Sequence, residues 1–181
     1  MSKRLFDFFF SLIALLMLSF IVLFFWLLAA VDTQSNGLFF QERIGQFGQK
    51  FKILKLRTFH LKTAKVSSVG NFLRKYKMDE LPQLWNVLKG EMSIVGPRPD
   101  ISGYYDKLEA ENRKILELKP GITSLASLKY YNEEEILQQQ ENPLRYNDTV
   151  IFPDKVKMNL DYYYNQNLLL DLKIIFKTIF R

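Results

Sequence analysis

The chain has 181 residues, 48% of them apolar, a formal net charge of +6 and no cysteine. That size suits one compact domain with an attached segment, and the composition excludes a disordered chain. The missing thiols exclude a disulfide framework, a zinc–cysteine site and thiolate catalysis, and a modest basic excess suits phosphates or anionic headgroups better than nucleic acid, for which no common motif is present.

No charged residue occurs from Phe8 to Val31, 24 positions in a row. A helix of that length reaches roughly 36 Å, enough to cross a bilayer core. The run is too long for a signal-peptide h-region and lacks a small-x-small cleavage site, and it is apolar on every side, so membrane insertion is favoured over a buried core helix. Lys3 and Arg4 should stay cytoplasmic. A straight crossing would export the rest of the chain; a helix that bends near Ser19 and returns would not. The residues leave both topologies open, since no proline forces a bend.

Residues 38–45 and 50–59 read as short strands around the turn Gly45-Gln46-Phe47-Gly48. In the second, Phe51, Ile53, Leu54 and Leu56 interleave with Lys50, Lys52, Lys55 and Arg57, which fits a half-buried strand with a solvated basic face as well as a phosphate-binding surface. A short helix is expected over 69–78. Next comes MDELPQLWNVLKGEMSIVGPRPD, residues 78–100. Pro82 fits only a helix's first turn, which puts the start near Asp79 and Glu80. Leu81, Leu84, Trp85 and Leu88 form an apolar stripe, and Gly90 is a C-terminal stop. Met92–Val95 reads as a short buried strand, and Gly96-Pro97-Arg98-Pro99 as a stiff turn. Lys119–Thr123 is a turn leading into extended chain, and residues 133–141 a solvated polar helix or an excursion on the surface. The tail, 168–181, has a broad apolar face with Lys173, Lys177 and Arg181 at four-residue spacing, suited to packing on the domain or lying among headgroups.

Asp79 and Glu80 have two readings. Acids at a helix start cap orphan N–H groups and complement the dipole, by about 0.3–1 kcal/mol. An ionised aspartate can also attack phosphorus, while its neighbour holds a divalent metal. Arg98, held between prolines, suits a bidentate grip on phosphate. His60 is the only histidine and receives no role. No Gly-rich nucleotide loop of standard spacing is present.

These residues carry a resemblance. KRLFDF at 3–8, FFQERIG at 39–45, FKILKLRTF at 51–59, MDELPQLWNVLKGEMSIVGPRP at 78–99, KPGITSLAS at 119–127 and LDYYYNQNLLLDLKIIFKT at 160–178 follow in the order found in the bacterial sugar transferases. These are monotopic polyprenyl-phosphate phosphoglycosyl transferases that initiate lipid-linked glycan assembly, and the chain resembles them along nearly its whole length. The resemblance implies a ping-pong reaction in which Asp79 attacks the β-phosphate of a UDP-sugar and releases UMP. Polyprenyl phosphate, such as the undecaprenyl lipid, then takes the sugar phosphate. By the same resemblance Glu80, with Asp79, binds Mg²⁺; Arg98 and Pro97 of the GPRP turn hold phosphate; and Lys55, Arg57 and Thr58 lie near the site. The implied fold is α/β in the α+β sense, mostly helical with short strands. Residues 1–32 are a re-entrant membrane helix, and 33–181 a catalytic domain with interfacial amphipathic helices on the cytoplasmic side of the inner membrane. A homo-oligomer is left open. Three departures stand out. Ser19 is followed by Phe20 where relatives often have Ser-Pro, residues 120–127 differ from the usual PGITG-x-AQ, and 129–158 is long with a glutamine-rich patch. The altered 120–127 run motivates an alternative, an inactive membrane-bound scaffold homologue.

Overall fold

A computed structural model describes residues 3–180; Arg181 of the expected basic tail lies outside them. The chain is mostly helical with two small sheets, as expected, and divides into two compact units. The first comprises residues 1–43 and 50–92, the second 44–49 and 93–181.

In the first unit, α1 (Lys3–Thr33) is one long apolar helix, long and apolar enough to cross a membrane. Its middle is bare: Leu16, Met17, Phe20, Phe24 and Leu27 are all exposed. Ser19 turns its hydroxyl back onto the Leu16 carbonyl at 2.9 Å, which satisfies the side chain within the helix. The two ends of α1 are not bare. Near the start, Arg4 donates to the carbonyls of Val87 and Leu88 at 2.6 and 2.7 Å. Near the finish, Ala29 is fully buried with Leu56 and Leu73, and Asp32 accepts from Ser67 Oγ at 2.6 Å.

Strands β1 (Leu38–Ile44) and β2 (Lys50–Leu56) pair in one sheet. Ser67 caps α2 (Ser68–Lys75) by accepting from the Gly70 amide, and a Cβ on Gly70 would stand 2.2 Å from the Thr58 carbonyl oxygen. That close approach presses α2 onto the chain leaving β2. Lys77 then takes a left-handed conformation at φ 56°, reversing the chain into a 3-10 turn, Met78–Glu80, followed by α3 (Gln83–Lys89). Gly90 closes α3 at φ 90°, as its position in the sequence predicts.

The apolar stripe expected on α3 is only part of its buried face. Leu84 of that stripe is buried and Leu81 and Leu88 are half-buried, but Trp85 is 52% exposed, and the buried face is completed by Gln83, Asn86 and Val87. The reason is Asn86, whose amide accepts from Leu54 N at 3.0 Å and donates to Lys52 O and Glu91 at 2.8 Å each. A side chain that completes the hydrogen bonding of a strand must face it, and this rotates Trp85 outward.

In the second unit, β3 (Ser93–Val95) and β4 (Gly121–Thr123) run parallel, with Ser93 opposite Gly121 and Val95 opposite Thr123. Short helices α4 (Leu125–Lys129), α5 (Glu133–Gln138) and α6 (Pro143–Tyr146) lead through a π-helical turn, Asn147–Ile151, into α7 (Phe152–Asn165) and α8 (Leu168–Ile179). As expected, α5 buries nothing. The core gathers Ile44, Tyr105, Ile115, Leu116 and Val156. The tail helix α8 packs on the domain by one face and leaves the other exposed. Asp171, Ile174 and Ile175 face inward, and Asp171 accepts from Tyr162 Oη at 2.6 Å. Leu169, Leu172, Phe176 and Ile179 remain exposed.

Candidate active site

The 3-10 turn after Lys77 carries both acids inward: Asp79 is 8% exposed and Glu80 7%. Asp79 does not act as a helix cap. The chain enters α3 through Pro82 with no side-chain cap, and Asp79 Oδ1 is buried without any hydrogen-bond partner. A carboxylate oxygen so placed is desolvated and uncommitted, which is costly for stability and useful for a nucleophile.

Glu80 is held by Lys55, whose Nζ lies 3.0 Å from Oε1. Both side chains are nearly closed to solvent, so this pair is screened far less than a surface one. Lys55 comes from β2, and the Asn86 bonds to the same strand fix α3, and with it the acids, against that lysine. Burial raises the Asp79 pKa to about 6, with the neighbouring Glu80 charge adding to the effect; Lys55, Lys77 and Arg74 pull the other way. Asp79 is therefore a carboxyl poised near neutrality beside three cations.

Of the sequence-predicted residues, Lys55, Arg57, Thr58, Asp79 and Glu80 belong to the first unit. Thr58 is buried, and its hydroxyl accepts from Arg74 Nε at 2.8 Å. This brings in Arg74 of α2, a residue given no role by the sequence reading. Arg57 sits between aromatic rings, its guanidinium carbon 5.5 Å from the Phe39 centroid and 5.1 Å from that of Phe59. Its Nε is buried without a hydrogen-bond partner. Pro97 and Arg98 belong to the second unit. Pro97 is buried and Arg98 exposed, and the turn is clamped to the β4 entry, with Gly121 N donating to Pro97 O at 2.8 Å. Gly96 and Gly121 permit this clamp, since a Cβ on Gly121 would lie 2.2 Å from Gly96 N.

Among the described residues, no three His, Cys, Asp or Glu side chains gather as a metal cage. Asp79 and Glu80 are an adjacent pair with one bare buried oxygen between them. That donor set fits magnesium, which takes one or two carboxylates and completes its shell with substrate phosphates and water.

The family model described as bacterial sugar transferase matches residues 1–181. The chain is 33% identical over 207 aligned residues to the exopolysaccharide production protein ExoY of Sinorhizobium fredii, an alignment covering 98% of this chain and 84% of that protein. It is 34% identical over 197 residues to a UDP-glucose:undecaprenyl-phosphate glucose-1-phosphate transferase of Klebsiella pneumoniae, covering 99% of this chain but 39% of that one. An enzyme of the same name from Caulobacter vibrioides is 35% identical over 170 residues, covering 83% of this chain and 58% of that protein.

Proposed function

The chain belongs to the bacterial sugar transferase family, and from that premise we propose that it moves a sugar-1-phosphate from a UDP-sugar to a polyprenyl phosphate such as undecaprenyl phosphate, through a covalent intermediate on Asp79. Transfer of a sugar phosphate to a lipid carrier follows the names of the Klebsiella and Caulobacter relatives. The observation that carries the covalent step is the buried, unbonded Asp79 Oδ1.

In the first half-reaction Asp79 forms an O–P bond to the β-phosphorus while the bond from that phosphorus to the bridging α–β oxygen breaks. UMP leaves with the electron pair. In the second, an oxygen of the lipid phosphate attacks the same phosphorus and Asp79 departs as a carboxylate. Asp79 must be ionised to begin, and Lys55, Lys77 and Arg74 favour that state. Glu80, held by Lys55, and Asp79 would hold Mg²⁺, which supplies charge neutralisation of the diphosphate. Arg98, stiffened by its flanking prolines, grips a phosphate in the same reading.

The membrane association of the chain rests on α1. Arg4 and Asp32, near opposite ends of that helix, bond to the same compact unit while the middle stays bare. This supports a helix that enters and leaves one face of the bilayer, and Lys3 and Arg4 favour the cytoplasmic face of the inner membrane.

The test is UMP release and intact protein mass with Mg²⁺ across a panel of UDP-sugars. The reading requires a phospho-sugar adduct on the wild-type chain and none on Asp79→Asn. Full turnover by that variant would refute the covalent mechanism, and UDP-sugar binding without any adduct on the wild-type chain would favour the scaffold alternative.

A further inference from the structure

Gln83 is 1% exposed, and its amide nitrogen is buried without a hydrogen-bond partner. Buried polar groups in folded proteins are nearly always paired, so an exception asks for a cause. Here two of the exceptions fall four residues apart on one segment. Asp79 Oδ1, four residues earlier, is a buried acceptor in the same condition. Residues four apart along a helical path share a face, and the chain from Met78 to Lys89 is helical or nearly so throughout. A buried donor and a buried acceptor therefore face the same side without bonding to each other.

Asn86 sharpens the contrast. It is a buried amide on the same helix, and it is satisfied by Leu54, Lys52 and Glu91. Burying an amide on α3 does not in itself leave it orphaned. What distinguishes Gln83 is that its neighbour on the shared face is the proposed nucleophile rather than a strand.

We infer that Gln83 is a further catalytic residue, whose side-chain N–H donates to a non-bridging oxygen of the phosphoryl group that Asp79 attacks. The inference rests on the covalent reading above and assigns that site an additional donor. As the Asp79 oxygen bonds to phosphorus and the bond to the departing UMP breaks, charge shifts over the phosphoryl oxygens. The Gln83 N–H meets it there, and the amide keeps its proton throughout. An uncharged donor on a rigid element adds direction to the positive field of Lys55, Lys77 and Arg74, which by itself has little. It also explains why the orphan is tolerated, since the substrate supplies the missing acceptor.

The experiment compares wild type, Gln83→Met and Gln83→Leu as full chains in detergent or nanodiscs, with Asp79→Asn as control. Two quantities are read: melting temperature without substrate, and the rate of phospho-sugar adduct formation from the UDP-sugar that labels the wild type. Removing an unsatisfied buried donor should leave the melting temperature unchanged or higher. Adduct formation should slow by about 100-fold, the usual cost of one transition-state donor, with kcat moving more than KM. Adduct formation at the wild-type rate in Gln83→Met overturns the proposal. So does a lower melting temperature in both variants, because the amide would then be serving the fold. Loss of the adduct in Asp79→Asn alongside a normal Gln83→Met discards only the role of Gln83. An adduct that persists in Asp79→Asn discards the covalent reading itself.

Discussion

The Arg4 guanidinium donates to the Val87 carbonyl across 2.6 Å, joining the first turns of α1 to the last turn of α3. A second bond reaches Leu88 O at 2.7 Å. The last carbonyls of a helix lack intrahelical donors, and a cation there also complements the dipole. Arg4→Gln should therefore lower stability by about 2 kcal/mol, the usual worth of a charge-assisted hydrogen bond, with Arg4→Lys recovering part of it. Thermal unfolding in detergent checks both.

The raised pKa of Asp79 makes a signed prediction. Between the ordinary carboxyl value of 3.8 and about 6, the folded chain holds a proton on Asp79 that the unfolded chain has lost. Stability from this group is thus highest below that window, falls as pH rises through it and stays low above it. Asp79→Asn removes the penalty, so in chelator it should gain about 1–3 kcal/mol over wild type at pH 7.5 and little at pH 4. Denaturant melts at the two pH values decide this.

Lys55→Met leaves Glu80 buried without its 3.0 Å partner and removes a charge that favours the Asp79 anion. Loss of about 2 kcal/mol of stability is expected. The pH midpoint for adduct formation should move upward from its wild-type position, because Asp79 becomes harder to ionise. A pH–rate profile that keeps its midpoint would contradict the electrostatic role given to Lys55.

Gly121→Ala tests the clamp on the GPRP turn. The new Cβ would meet backbone atoms of Gly96 at 2.2, 2.5 and 2.7 Å, none of which can move without parting β3 from β4. A loss of more than about 4 kcal/mol is expected, in the exceptional range for one substitution. Reduced expression, or a large drop in melting temperature, is the readout.

Much of this organisation is legible in the residues. The long charge-free run reads as a membrane-inserted helix, Gly90 marks a helix end, and the 78–99 block singles out the adjacent acids Asp79 and Glu80. Other features depend on partners distant in sequence. Trp85 falls on the apolar stripe by spacing, yet faces out because Asn86 completes the bonding of β2, and no local pattern announces that. Nothing local to Arg74 marks it, and its bond to Thr58 gives it a place. The orphaned state of Gln83 is a property of what does not surround it, and sequence periodicity carries no record of that.

The two anchored ends of α1 set a rule for how this segment can change over time. Arg4 must reach α3, and Ala29, fully enclosed, must reach Leu56 and Leu73. One inserted residue would turn everything downstream by about 100° and advance it 1.5 Å, swinging Ala29 away from its neighbours. The bare apolar letters between the anchors, Leu16, Met17 and Phe20 among them, are exchangeable for others of their kind, but their number is a phase that insertions and deletions must respect.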